Sequence, residues 1–210
     1  MRNFSRIILP LILALGLANG KEANGVFVGL ELGFSENQLE LKAKVSRYEG
    51  YNTKSALTAL AVGGKVGYKH FFLDWVGVRG YVSVGGALTS SKNTNKGTSS
   101  TTTFSDVIYA VNADALFNFY SSDSLNAGAF VGIGLGGQNF STNAVRANTD
   151  EISDFYGDVK LGLRVNTATN HEVEFIAKIP YYKATKTFDS VVEAKAKQNY
   201  QILLGYNYAF

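Results

Sequence analysis

The sequence has no cysteine, two prolines, two histidines and a single tryptophan among 210 residues. Without cysteine the chain can form neither a disulfide scaffold nor a thiolate metal site. After residue 20 it also has no continuous apolar run of about 20 residues, the length that a membrane-spanning helix needs. These absences exclude disulfide-rich proteins, thiolate-bound zinc sites and helical membrane proteins.

The N-terminus has the organisation of a secretory signal peptide. Arg2 and Arg6 precede the apolar run Ile7–Leu17, and small residues follow it. The run is too short to cross roughly 30 Å of hydrocarbon as a helix. We therefore predict a signal peptide over residues 1–20 and one exported domain over residues 21–210. Removing the two arginines lowers the formal net charge from +3 to +1 (3 − 2 = 1), a value that indicates no nucleic-acid partner.

Most of the exported sequence alternates between apolar residues and small or polar residues with a period of two. Successive side chains of a strand point to opposite faces, so this period is typical of β-strands. Eight segments have it: Val26–Phe34, Leu60–Lys69, Val76–Leu88, Asp106–Phe119, Leu125–Gly136, Phe155–Asn166, Glu172–Tyr182 and Asn199–Phe210. We therefore predict an all-β fold, an eight-stranded antiparallel barrel.

The distribution of charge indicates which kind of barrel this is. A soluble ligand carrier packs its apolar face inside, whereas here the charged residues share the glycine-rich face, which suits the crowded interior of a narrow barrel. The other face carries almost no charge and suits contact with lipid. We therefore predict a transmembrane β-barrel with a structural charge network in its lumen, formed by Glu31, Lys65, Arg79, Asp106, Asp114, Asp158, Lys160, Arg164, Glu174 and Lys178.

The connections between the predicted strands alternate between long and short. The long ones are Ser35–Thr58, Thr89–Ser105, Gly137–Asp154 and Ala184–Gln198, and the short ones lie around His70–Trp75, Ser121–Ser124 and Thr167–His171. Outer-membrane barrels have long extracellular loops and short periplasmic turns. We therefore expect the four long loops to face the outside and both termini to lie in the periplasm.

Three stretches fit the alternation less simply. Gln38–Tyr48 alternates by itself, in a register shifted by the break at residues 35–37, and we expect a hairpin arm or a short helix outside the membrane. Pro180 cannot donate a ladder hydrogen bond, so we expect it at a bulge or at the outer end of the seventh strand. Ser90–Thr103 is almost entirely Ser, Thr, Asn, Lys and Gly, and we expect a mobile loop with too little apolar surface to fold.

Both ends of the exported chain carry a motif. Gly205, Tyr208 and Phe210 resemble the C-terminal signal by which bacterial outer-membrane barrels are recognised for assembly. This ending, together with the opening Asn24-Gly25-Val26-Phe27-Val28-Gly29, resembles the outer-membrane protein family of Helicobacter and its relatives. The architecture between the two motifs is similar to small eight-stranded barrels of the OmpA and OmpX type.

The resemblance implies an integral location in the outer membrane of a Gram-negative bacterium. The uncharged outer face predicts outer-membrane lipid as a partner, and the C-terminal motif predicts the barrel assembly machinery as a second one. Because the family includes adhesins and porins, the resemblance leaves the surface ligand open.

The two histidines lack a nearby constellation of residues of the kind that carries catalysis. Outer-membrane enzymes use His with Ser or Asp near the outer rim, whereas His70 and His171 fall at the predicted periplasmic turns. The carboxylates are scattered and there is no His cluster, so we expect no metal site and no cofactor. The glycine-rich stretch Gly128–Gly137 lies within an alternating strand, which favours close interior packing over a phosphate loop.

An eight-stranded barrel encloses only enough space for side chains. We therefore predict a non-catalytic outer-membrane protein with a structural or adhesin-like role, exerted through its four outer loops, because recognition usually takes place on loops. Two alternatives stay open, a narrow porin-type pore for small solutes and a lipid-modifying enzyme. The loop sequences contain no pattern that identifies a ligand.

Overall fold

The computed structural model describes residues 22, 24–43, 52–95, 98–142, 152–167, 170–181, 184–188 and 192–210. Nine strands lie in these residues: β1 (Gly25–Ala43), β2 (Asn52–Leu73), β3 (Val76–Asn95), β4 (Thr98–Ser121), β5 (Leu125–Thr142), β6 (Ile152–Thr167), β7 (His171–Pro180), β8 (Ala184–Phe188) and β9 (Val192–Ala209). The segment predicted to be a signal peptide, residues 1–20, lies outside the described residues. In the part of the chain that is described, no helix has the length and hydropathy needed to cross a membrane.

The strands form one closed antiparallel sheet. Each of β1 to β6 pairs with the strand that follows it, β7 pairs with β9, and β9 also pairs with β1, which closes the barrel. β7 and β8 follow one another along the same edge of β9. The nine strands therefore occupy eight positions around the barrel, and the predicted eight-stranded fold is confirmed.

The two faces of the barrel wall are divided as the alternation predicts. Lys65, Arg79 and Lys160 are buried in the interior, whereas Leu32 and Val84 on the outside remain 56% and 58% exposed. The exposed apolar side chains form a continuous surface, which we call the apolar belt. Aromatic residues flank it at both ends, as is typical of transmembrane barrels: Tyr68, Phe119, Tyr181, Tyr200, Tyr206 and Tyr208.

The two ends of the barrel differ in their connections. At one end, which we call the turn end, the strands are joined by the short connections 74–75, 122–124 and 168–170. Asn24 and Phe210 also lie at this end, because β1 begins and β9 ends there. At the opposite end, which we call the hairpin end, the strands continue past the apolar belt. The predicted short turns are therefore confirmed, and Asn24 and Phe210 lie beside them.

The predicted long loops contain much more strand than expected. β1 and β2 remain paired as far as Lys42 and Asn52, and β3 and β4 as far as Asn95 and Thr98. The expectation that Ser90–Thr103 is too polar for regular structure is therefore wrong. Threonine favours an extended backbone, and Ser and Thr face one another across this hairpin. The hairpin needs no apolar face because it extends a ladder that the closed barrel already holds in register.

Two irregularities lie where the sequence indicated a break. The register of β1 against β9 shifts between Glu36 and Asn37, which accounts for the change of phase before Gln38. Residues 38–43 continue β1, so this part of the expected arm is a strand rather than a helix, and residues 44–51 lie outside the described part of the chain. β7 ends at Pro180, which confirms the predicted strand end.

The division between lipid-facing and lumen-facing positions can be tested on two neighbouring residues of β3. We expect Val84→Arg to destabilise the barrel by about 2 to 4 kcal/mol, because it places a charge on the lipid face near the middle of the membrane. Ser83 points inward and accepts a 2.9 Å hydrogen bond from Asn112 Nδ2. Ser83→Ala is expected to cost about 1 kcal/mol. Urea unfolding in lipid, followed by heat-modifiable gel mobility, measures both, and equal losses would contradict this assignment of the faces.

Candidate functional site

Every second side chain of the barrel wall points into the lumen, and many of these inward positions are glycine or alanine. The clearest case is Gly134 on β5, where an added Cβ would lie 2.6 Å from Asn112 Oδ1 and 2.7 Å from Asp158 Oδ1. A wall without side chains at such points leaves room for long charged residues from other strands. Some strands therefore contribute the long side chains that fill the lumen, and others contribute the glycines that leave space for them.

Arg79 on β3 lies at the centre of the lumen. Its Nε binds Asp114 Oδ2 on the adjacent strand β4 at 2.8 Å, and its Nη1 binds Glu174 on β7, across the barrel. The guanidinium carbon also lies 4.5 Å from the ring centroid of Phe130, close enough for a cation–π interaction. Lys65 adds a second ion pair to Glu174 at 2.6 Å. These contacts connect the walls of the barrel and fill its middle.

Towards the hairpin end the ion pairs continue and then become sparse. Glu31 pairs with Lys65 at 3.2 Å and also with Lys178, while Lys160 pairs with Asp158 at 3.2 Å. A cavity of about 30 Å³ lies beside Glu31, Asp158 and Lys178. A volume of this size holds about two water molecules, so the cavity accommodates water rather than a larger solute.

At the turn end the lumen contains a second group of charges. Arg164 on β6, which is 2% exposed, binds Glu172 on β7 and also Glu22, which precedes β1. Lys69 on β2 binds Glu22 at 2.6 Å and lies 3.6 Å from Glu172. Arg79 Nη1 lies 3.3 Å from Glu172 Oε1, which joins this group to the centre of the lumen.

The ion pairs of the lumen form one connected network. Lys160 lies 3.9 Å from Asp114, which links its pair with Asp158 to Arg79. The network therefore extends from Lys178 near the hairpin end to Glu22 at the turn end. The structure brings into it the following lumen residues predicted from the sequence: Glu31, Lys65, Arg79, Asp114, Asp158, Lys160, Arg164, Glu174 and Lys178.

Asp106 differs from the expectation. It is buried in the wall near the hairpin end and accepts a 2.7 Å hydrogen bond from the backbone N–H of Ala87. Among the residues whose side chains are described, no Lys or Arg forms an ion pair with it. Conversely, Glu22, Lys69 and Glu172 belong to the network but were not predicted for it. The latter two occupy inward positions of the alternation, which could have identified them, whereas Glu22 precedes the first strand and carries no periodic signal.

The two histidines lie at the turn end, as the sequence indicated. His171 Nδ1 lies 2.6 Å from the Tyr206 hydroxyl on the outer face, and His70 packs edge-on against Phe72 at 4.9 Å. Among the residues whose structure is described, no group of three His, Cys, Asp or Glu side chains is arranged to hold a metal ion. The charged side chains that these residues place in the lumen form ion pairs with one another.

The three residues of the C-terminal motif take different positions on β9 and after it. Gly205 faces the lumen, where an added Cβ would lie 3.1 Å from Glu174 Oε2. Tyr208 and Phe210 lie on the outer face, edge to face at 5.1 Å, and Phe210 is 71% exposed. The aromatic part of the motif is thus accessible on the outer face of the turn end.

The family model described as Helicobacter outer membrane protein matches residues 63–210. Among solved structures, Neisserial surface protein A is 13% identical, with a TM-score of 0.50 over 90% of this chain and 100% of that chain. OprG from Pseudomonas aeruginosa is 13% identical, with a TM-score of 0.44 over 92% of this chain and 100% of that chain. Ail, the attachment invasion locus protein of Yersinia pestis, is 16% identical, with a TM-score of 0.38 over 89% and 100%. No curated protein matches the chain significantly.

The central role of Arg79 can be tested against a residue at the edge of the network. Arg79→Met leaves Asp114, Glu174 and Glu172 short of a buried partner, and we expect a loss of about 3 to 5 kcal/mol. Lys178→Met removes a similar length of side chain but leaves Glu31 paired with Lys65 at 3.2 Å. For that control we expect a loss of about 1 kcal/mol. Both are measured by urea unfolding in lipid, and a control as unstable as Arg79→Met would contradict this ranking.

Proposed function

The chain belongs to the Helicobacter outer membrane protein family and is an integral outer-membrane β-barrel, and we propose that it acts at the cell surface as a closed, non-catalytic scaffold for its outer hairpins. The observation that carries this proposal is the combination of a lumen filled by ion pairs with walls that continue far beyond the apolar belt at one end. A barrel of this form offers partners its projecting hairpins rather than a passage.

The ion pairs that fill the lumen argue against a wide channel. Arg79, Lys65 and Glu174 connect opposite walls in the middle of the barrel, and Glu22, Lys69 and Arg164 do so at the turn end. A solute would have to separate buried ion pairs and leave charges without partners. Separating each pair costs several kcal/mol.

The outer hairpins supply the surface for recognition. Short turns and both termini mark the periplasmic side of outer-membrane barrels, so the hairpin end faces the outside. On β3 the strand continues from Thr89 to Asn95 beyond the apolar belt, about 7 residues at roughly 3.3 Å each, or about 23 Å along the strand. Over this length β3 carries Ser, Thr, Asn and Lys, and the facing residues Thr98–Thr103 of β4 are all Ser or Thr. Such a surface suits a polar partner bound through hydrogen bonds.

The arrangement of the histidines supports a non-catalytic role. His70 and His171 lie at the periplasmic end, away from the outer leaflet and the projecting hairpins. The partner of His171 is a tyrosine of the membrane-facing surface. A catalytic histidine needs a nucleophile within reach and a third group that orients its ring, and this pair supplies neither.

We further propose that the barrel assembly machinery recognises Gly205, Tyr208 and Phe210. The exposed pair Tyr208 and Phe210 supports this proposal, because the two rings are available on the outer face of the last strand.

The closed lumen predicts the electrical behaviour of the purified protein. In planar bilayers we expect no steady openings of porin size, because ion pairs cross the lumen and the cavity beside Glu31, Asp158 and Lys178 measures only about 30 Å³. The matched measurement on Arg79→Met reports whether the central charges are responsible, since loss of the central guanidinium should raise the conductance. Steady porin-sized openings of the unmodified protein would contradict the closed scaffold.

The role of the outer hairpins is tested by shortening one of them. Thr89 and Phe104 face one another in the ladder, so Ser90–Thr103 can be replaced by an Asn-Gly turn without disturbing the barrel below. We expect the variant to keep heat-modifiable mobility and to lose the binding that the unmodified protein in lipid nanodiscs shows on an array of glycans and matrix proteins. The matched control replaces Ser122–Ser124 at the periplasmic end with the same turn. Equal binding by both variants would contradict the role of this hairpin as the binding surface.

A further inference from the structure

Glu22 is held inside the barrel although it belongs to no strand. β1 begins at Gly25, and Asn24 just before it accepts, through Oδ1, a 2.6 Å hydrogen bond from the backbone N–H of Phe71. Glu22 is 3% exposed. A charged side chain this deeply buried requires a set of partners that replaces its hydration.

The partners of Glu22 come from opposite walls of the barrel. Lys69 Nζ on β2 lies 2.6 Å from Glu22 Oε1, and Asn166 Nδ2 on β6 donates to the same oxygen at 3.0 Å. Arg164 Nη2 on β6 also binds Oε1, while Asn118 Nδ2 on β4 donates to Oε2 at 3.3 Å. β2 and β6 are four positions apart in a barrel of eight positions, so they face one another. The carboxylate therefore lies across the axis of the lumen.

The charges of this site do not balance without Glu22. Lys69 and Arg164 supply two positive charges, and their other acidic partner in the described part of the chain is Glu172. With Glu22 in place the group is neutral, since two cations face two anions. Without Glu22 the sum is +1 (2 − 1 = 1), and four buried donor groups each lose one of their acceptors.

From this geometry we infer that the periplasmic end of the lumen is a carboxylate-binding site, which Glu22 occupies as a tethered ligand and which takes a small monocarboxylate when that side chain is removed. The donors contact both carboxylate oxygens, so the site recognises a planar anion with two oxygens better than a spherical halide. This inference concerns the end of the barrel opposite to the outer hairpins and does not depend on their proposed role.

Chemical rescue tests the inference on the full exported chain folded in lipid. In Glu22→Ala we expect the temperature at which the folded gel band is lost to fall in sodium chloride. Sodium acetate at the same ionic strength should restore most of that loss. The unmodified protein should show no difference between the two salts, because its site is already occupied.

Glu36→Ala is the matched control. Glu36 accepts hydrogen bonds from Tyr200 OH at 2.6 Å and Asn199 Nδ2 at 3.2 Å, without a cation among these partners. We expect acetate and chloride to act alike on this variant. If Glu22→Ala does not fold in chloride, the yield of refolding in acetate becomes the measurement, and recovery in acetate alone supports the site. Equal behaviour of Glu22→Ala in the two salts, by stability or by yield, would overturn the inference.

Discussion

Closure of the barrel through the pairing of β1 with β9 is the constraint on which the rest of the structure depends. A bilayer offers no water to backbone N–H and C=O groups, so a strand protein can cross it only when its first and last strands complete one another's hydrogen bonds. Here the pairing extends from Phe27 opposite Ala209 to Ala43 opposite Val192. Closure with eight positions makes the interior narrow, and this narrowness determines which residues the inner face can hold.

The narrow interior explains why glycine and charge occur together on one face. Gly134 leaves space that Asn112, Asp158 and Lys160 occupy from other strands, and Arg79 reaches Glu174 across the barrel. A charge in this environment is stable only with a partner close by. The result is one network of ion pairs that connects the walls internally, just as the backbone ladder connects them around the circumference.

The two ends of the barrel then differ in structure. At the turn end the chain places Glu22, which precedes the first strand, between Lys69 and Arg164. At the hairpin end the ladder continues beyond the apolar belt into a polar region, where water can satisfy both faces of each strand. The same eight positions thus support a lumen crossed by ion pairs at one end and a projecting polar ladder at the other.

The sequence by itself determined the strands, the face that each residue occupies and the identity of most lumen charges, because alternation with a period of two is a local property. It also indicated the break before Gln38 and the strand end at Pro180. Only the tertiary structure decided which charges meet, since the stagger between strands brings Arg79 to Glu174 and leaves Asp106 with the backbone of Ala87. Closure of the barrel likewise decided how far the outer hairpins stay paired and where Glu22 lies. A polar strand such as Ser90–Asn95 is held by its neighbours, and a side chain outside the alternation finds its partners only when opposite walls come together.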